Sequence, residues 1–253
     1  MEKVYYSGTS GLVLPVPNKQ YYPIEFRDKS KLSYYSSLFD SIEINSSFYK
    51  VPTPATLGKW SESVGHDFKF TFKLWEGITH QKELSFDRAQ LKQFIDTINH
   101  VGDKKGCLLV QLPPSIGHKY APQLLWLMHR IREADPTCSW NLAIEFRDPS
   151  WYRETTYNLM NEFDAGLVFH DKAGSATPMI EQNTDFIYLR FHGPKGDYKG
   201  SYQDSFLTEY ADYIREWTKE EKTVYAYFNN TAGDAILNLQ TLNSEVYQMA
   251  IVP

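Results

Sequence analysis

The chain is expected to fold as an α/β protein, a single TIM (β/α)8 barrel, on three observations. Eight short strand-like runs, several of them with period-two alternation, are separated by segments of helical period. The length, 253 residues, suits one barrel of this kind. Within the strand runs one face stays apolar, while the other turns polar toward the C-terminal end. A barrel needs both properties: helices cover one face, and the strand ends line a mouth. The rival, an open doubly wound sheet, lacks support because no glycine-rich loop follows a strand at dinucleotide-binding spacing.

Taken in order, Val4–Ser7 is a strand closed by Gly8-Thr9-Ser10-Gly11, and Pro15, Pro17 and Pro23 hold an irregular loop. Lys31–Phe39 has helical spacing, with Leu32, Tyr35, Leu38 and Phe39 on one side. Ser41–Asn45 alternates as a strand, and Pro54 starts a helix to about Ser63. Lys69–Lys73 sets Phe70 and Phe72 against Lys69, Thr71 and Lys73, and a helix spans about Asp87–Val101. Cys107–Leu112 is a strand stopped by Pro113-Pro114, and Ala121–Glu133 is an amphipathic helix.

Leu142–Arg147 then places Leu142, Ile144 and Phe146 on one face and Ala143, Glu145 and Arg147 on the other. Asp148-Pro149-Ser150 ends it, and a helix follows at about Tyr152–Phe163. Leu167–Phe169 is a strand ending in His170-Asp171, followed by a segment poor in helix signal. Phe186–His192 is a strand, Ser205–Lys219 a helix, Thr223–Phe228 the last strand and Gly233–Leu242 the last helix. No repeat, linker or low-complexity run divides the chain, so one domain over residues 1–253 is expected.

Hydrophobic content of 42% provides for a large core, and the net charge of −5 gives no global basic footprint for nucleic acid. Two cysteines, Cys107 and Cys138, make neither a disulfide framework nor a metal-binding pair. With no apolar leader and no membrane-length apolar run, a cytoplasmic protein without membrane contact is expected. No motif speaks to oligomeric state.

If the apolar faces meet the helices, the mouth receives Glu43, Asn45, Lys73, Gln111, Glu145, Arg147, Arg190, His192 and Asn229, with Asp171 just past strand six. Glu43 and Glu145 are candidates to divide general acid and base work; His192 and Asp171 are further catalytic candidates. Lys73, Arg147 and Arg190 would hold an anion, Arg being suited to bidentate contact. Asn45 and Asn229 would bind hydroxyls; Gln111, Asn230 and His80, the last in a neighbouring loop, are further substrate-binding candidates, though Gln111 also reads as a loop anchor and Asn229-Asn230 as a strand-ending turn. Tyr49 and Trp151 are candidates to bind substrate by stacking, and with Trp75 they read equally as core or loop staples. Glu145 and Arg147 also read as a plain internal ion pair.

The runs Gly8-Thr9-Ser10-Gly11, Glu43-Ile-Asn-Ser-Ser-Phe-Tyr49, Phe72-Lys73, Thr79-His80, Gln111-Leu-Pro-Pro114, Glu145-Phe-Arg147 with Ser150-Trp151, Arg190-Phe-His-Gly193 and Tyr227-Phe-Asn-Asn230 stand in an order that resembles domain of unknown function 72, a YecE-like family. The resemblance implies a TIM barrel with these positions around its mouth, and no established reaction. Leu12 and Asp148 depart from it, where an aromatic and a His are usual.

The function expected is an enzyme, a hydrolase or isomerase, acting on a small anionic or polyhydroxylated substrate that carries phosphate or sugar. No cofactor is expected. The alternative is a metal-dependent endonuclease-like barrel, with Glu43, His80, Glu145, Asp171 and His192 as donors to a divalent metal. A nucleic-acid-binding barrel is the other, using the basic and aromatic loop Lys195–Tyr202.

Overall fold

A computed structural model describes residues 4–248. β1 (Tyr5–Thr9) leads to α1 (Lys31–Tyr35), β2 (Ser41–Ile44), α2 (Ser46–Tyr49), α3 (Pro54–Glu62) and β3 (Lys69–Lys73). α4 (Glu76–Thr79) and α5 (Arg88–Ile98) precede β4 (Lys105–Leu112), then α6 (Ala121–Ala134) and β5 (Asn141–Phe146). α7 (Glu154–Glu162), β6 (Ala165–His170), β7 (Phe186–Phe191), α8 (Asp204–Lys219), β8 (Thr223–Phe228) and α9 (Ala235–Gln248) complete the order. The strands form one eight-stranded sheet in the order β1-β8-β7-β6-β5-β4-β3-β2, with every pair parallel. It is an α/β barrel of the TIM type. No described helix is long and apolar enough to cross a membrane.

The short helices α2 and α4 and the extension of α9 to Gln248 were not expected, and three other helices differ from expectation for local reasons. α1 stops at Tyr35; its start is fixed by the Ser30 hydroxyl, which accepts from Ser33 N. The fifth helix ends at Ile98 and tightens into a 3-10 turn at Asn99–Val101, which Gly102 leaves at φ 64°. α7 begins late because Pro149–Trp151 form a 3-10 turn capped by Asp148, whose carboxylate accepts from Ser150 N.

Two apolar shells result. The outer one lies between strands and helices, around residues such as Phe72, Ile144, Leu189 and Phe228. The inner one fills the lumen and includes Tyr6, Cys107, Leu109, Ala143, Tyr188 and Tyr225. Each large side chain taken fully out of water contributes about 1.5–3 kcal/mol, so both shells hold the ring. The lumen is packed below and polar above, which confines any site to the C-terminal ends of the strands.

The ring has a seam between β1 and β2. One bridge, Ser10 to Glu43, joins them, and Gly11 N donates to Glu43 O at 2.7 Å. Below it the Tyr35 hydroxyl accepts from Thr9 N at 2.7 Å and donates to Ser41 O at 3.1 Å. Gly8 permits this approach: a Cβ there would sit 2.0 Å from Ser41 O.

Candidate active site

Strand alternation brings Glu43 from β2, Glu145 from β5 and Arg190 from β7 to one level above the apolar lumen. Arg190 lies between the carboxylates. Its Nε donates to both Glu43 oxygens at 3.1 and 3.0 Å, and Nη2 donates to Oε1 at 2.8 Å. Its Nη1 donates to Glu145 Oε2 at 2.9 Å. The Tyr188 hydroxyl also donates to Glu43, and Arg147 closes on the other Glu145 oxygen. Both glutamates are wholly buried and Arg190 is 2% exposed. Two charges of each sign thus meet in a sheltered lattice, where the local field is strong.

The titrations follow. Burial pushes both glutamate pKa values up, but the guanidiniums outweigh it: Glu43 is lowered and Glu145 falls well below the usual range. For Arg190 burial opposes the charge, and Glu43 and Glu145 more than restore it. The glutamates therefore stabilise the fold when ionised, and that contribution is lost as pH falls through their folded pKa values, below the unfolded value near ~4.3. Urea midpoints are expected to stay level near neutrality and drop steeply below about pH 4. A midpoint unchanged by such acidification would mean the lattice is not held by charge.

His192 sits on the lattice. Arg147 Nη2 donates to its Nε2 at 2.8 Å, so the proton belongs on Nδ1, 3.4 Å from Asp171 Oδ1. Nδ1 is buried and completes no hydrogen bond. Burial lowers the His192 pKa and leaves the ring neutral near pH 7. Asp171 also accepts from His192 N at 2.7 Å and from the Tyr202 hydroxyl, so it fixes the His192 segment.

Lys73, at the end of β3, donates to Gln111 Oε1 at 2.8 Å, and its Nζ lies 3.9 Å from the centre of the Phe48 ring. Burial and the neighbouring Arg190 charge bring its pKa down to about 8, against the opposing pull of Glu145 and Glu43. Above the lattice, Gln111, Arg147, Lys172, Ser175 and Tyr198 line a cavity of about 370 Å3.

A family described as "Protein of unknown function DUF72" matches residues 6–251. The chain belongs to the DUF72 family. Among its relatives, UPF0759 protein YunF of Bacillus subtilis is 27% identical, with 84% of each chain covered. UPF0759 protein YecE of Escherichia coli K12 is 25% identical over 49% of this chain and 43% of its own. Among solved structures, a DUF72 protein of Enterococcus faecalis superposes with TM-score 0.79 at 19% identity, covering 96% of this chain and 95% of that one. A DUF72 protein of Thermotoga maritima gives 0.72 at 24% identity, covering 98% and 99%. SacUVDE shares the fold at TM-score 0.58 and 10% identity, with both chains fully covered.

In this DUF72 barrel, Glu43, Asn45, Lys73, Gln111, Glu145, Arg147, Arg190 and His192 meet at the mouth. Asn45 accepts from Arg190 Nη2 at 3.4 Å. Asn229 follows Tyr227 in strand alternation and is half-buried at the end of β8. Several expected roles change. Glu43 and Glu145, expected as an acid and base pair, are both engaged by guanidiniums, which favour the ionised form of each. Arg190 does not grip an anion, because its donors are spent on the lattice. Asp171 is engaged by His192 N and the Tyr202 hydroxyl.

Trp151 offers no stacking face: it is wholly buried against Phe146, and its Nε1 donates to Ile116 O at 2.7 Å. Asn230 is also buried, donating to Gly200 O and Asn238 Oδ1, each at 2.9 Å. Tyr49 is 71% exposed against Phe48, away from the lattice. His80 bonds Thr79 at 2.9 Å and faces a separate cavity beside Trp75.

The donors suggested for a divalent metal do not assemble. Glu43 and Glu145 direct their oxygens at guanidiniums, and His80 lies outside the lattice. Among the described residues no group of three or more His, Cys, Asp or Glu is arranged to hold a metal.

Three groups escaped the sequence reading as site residues: His170, Tyr188 and Lys172, the last in the loop after β6. His170 is buried on the lumen side; its Nε2 meets Phe146 O at 2.9 Å and its ring lies 5.6 Å from that of His192. Its spacing of two from Val168 was the available signal. Tyr188 reads as apolar filling. Tyr198 and Tyr202 lie in the loop Lys195–Tyr202, which the sequence offered for nucleic-acid stacking.

Proposed function

We propose that the protein is an enzyme, a hydrolase or isomerase, that binds a small anionic, phosphate-bearing substrate at the C-terminal mouth. The observation that carries this reading is the cavity of about 370 Å3 lined by Arg147 and Lys172. Arg147 is held by Glu145 and His192, so its guanidinium is pre-oriented before a ligand arrives. Gln111 and Ser175 supply polar contacts for hydroxyls, and Tyr198 closes one side. The groups able to move a proton near pH 7 are Lys73 and neutral His192; the two glutamates orient the cations. A cytoplasmic setting belongs to this reading, since Cys107 and Cys138 are both unpaired.

Calorimetric titration with inorganic phosphate tests it. Arg147→Ala removes charge-assisted contacts of about 1.5–3 kcal/mol, a weakening of roughly ten- to a hundredfold. A wild-type protein without phosphate affinity, or a folded variant that binds as before, overturns the reading.

A nucleic-acid strand is the second reading. The 38% exposed Tyr198, with Lys172 Nζ 4.2 Å from its ring centre, supports it as a stacking point beside an anion site. Tyr202, buried and tied to Asp171, is unavailable for stacking. Oligonucleotide affinity that falls steeply with salt would favour the strand; flat titrations remove it.

A further inference from the structure

We propose that Lys73 Nζ forms an imine with the carbonyl carbon of a small phosphorylated aldehyde or ketone whose phosphate rests on Arg147 and Lys172. The inference rests on the anion reading above and names the substrate class. Its ground is placement. Lys73 is the last residue of β3, half-buried, and turned into the mouth. Its amine lies against the Phe48 ring on one side and donates to Gln111 on the other. Gln111 itself lines the cavity together with Arg147 and Lys172. The amine is therefore one hydrogen bond from the space a phosphate-anchored chain would occupy.

Neither carboxylate holds the amine in its charged form through a direct contact. Glu43 and Glu145 are engaged by Arg190 and Arg147, and the acceptor for Nζ is a neutral amide. A lysine shielded from water beside other cations is the arrangement that activates an amine for attack on a carbonyl. With its pKa near 8, the free-base fraction of Lys73 at neutral pH exceeds that of an ordinary lysine at ~10.4 by roughly a hundredfold.

The step balances without a co-reactant. The nitrogen lone pair forms the C–N bond, and the carbonyl π pair moves to oxygen. The two amine hydrogens and that oxygen then leave as water. The resulting imine withdraws electrons from the adjacent carbon, which suits isomerisation or carbon–carbon cleavage.

The test treats the intact protein with glyceraldehyde 3-phosphate and borohydride, followed by peptide mass mapping. Reduction adds hydride across C=N, so the trapped lysine gains the aldehyde less one oxygen. The expected result is labelling of Lys73 at about a hundredfold the rate of surface lysines, as the free-base ratio dictates. Inorganic phosphate should suppress it, and Lys73→Met should abolish it. Labelling spread evenly over lysines, or absent from Lys73 while phosphate binds by calorimetry, overturns the imine and leaves the anion reading standing. Labelling of Lys73 that phosphate does not suppress supports the imine and overturns the phosphate subsite. Absence of both phosphate binding and Lys73 labelling overturns the two together.

Discussion

Glu145→Ala is expected to destabilise the folded protein by about 3–5 kcal/mol, the cost of leaving a buried charge uncompensated. Glu145 is wholly buried and meets two guanidiniums, Arg147 on Oε1 and Arg190 on Oε2. Removing it leaves the lattice with two buried arginines and one carboxylate, Glu43. Arg190 cannot shed its proton to escape the penalty. Glu145→Gln keeps the shape and one acceptor, so it should lose less. Chemical unfolding of both variants reads the difference. A loss below about 1 kcal/mol for Glu145→Ala, the range of exposed pairs, would mean that water reaches these charges.

The second large effect is at Trp151. Trp151→Ala is expected to cost about 3–5 kcal/mol through the cavity it leaves. The ring stacks on Phe146 with centroids 4.7 Å apart, lies edge-on to His118, and anchors Ile116 O through Nε1. Since it faces the core, phosphate affinity of the folded variant should equal that of the wild type. A stable variant with lost affinity would return Trp151 to the mouth.

The fold was legible because eight strand-like runs are spaced by helical segments and several, such as Lys69–Lys73, keep strict alternation. β3 and β8 were read to the residue, since Lys69–Lys73 and Thr223–Phe228 carry clear boundaries. Residues on those faces could be assigned to lumen or helix with no further information. Alternation fails past a strand's end, which is why Trp151, beyond Pro149, was placed at the mouth when a 3-10 turn rotates it inward. The identity of the mouth residues was likewise readable, but their charge states were not. Glu43 and Arg190 are 147 positions apart, and only the closed ring shows that each satisfies the other. Local sequence shows a carboxylate; what it pairs with decides whether it can give up a proton. Loop groups such as Lys172 have no periodicity to betray them.

The seam between β1 and β2 has a bearing on how the molecule comes together. Side chains from the far side of the gap reach across the interior: Tyr227 on β8 meets Ser41 on β2 at 2.6 Å, and Arg190 on β7 clasps Glu43, also on β2. The first and last quarters of the polypeptide are thus laced to each other by lumen side chains, Arg190 and Glu43 of the candidate centre among them. Ring closure during folding and assembly of that centre become one event. A chain stalled before its final strands dock would have neither a shut wall nor a functional pocket.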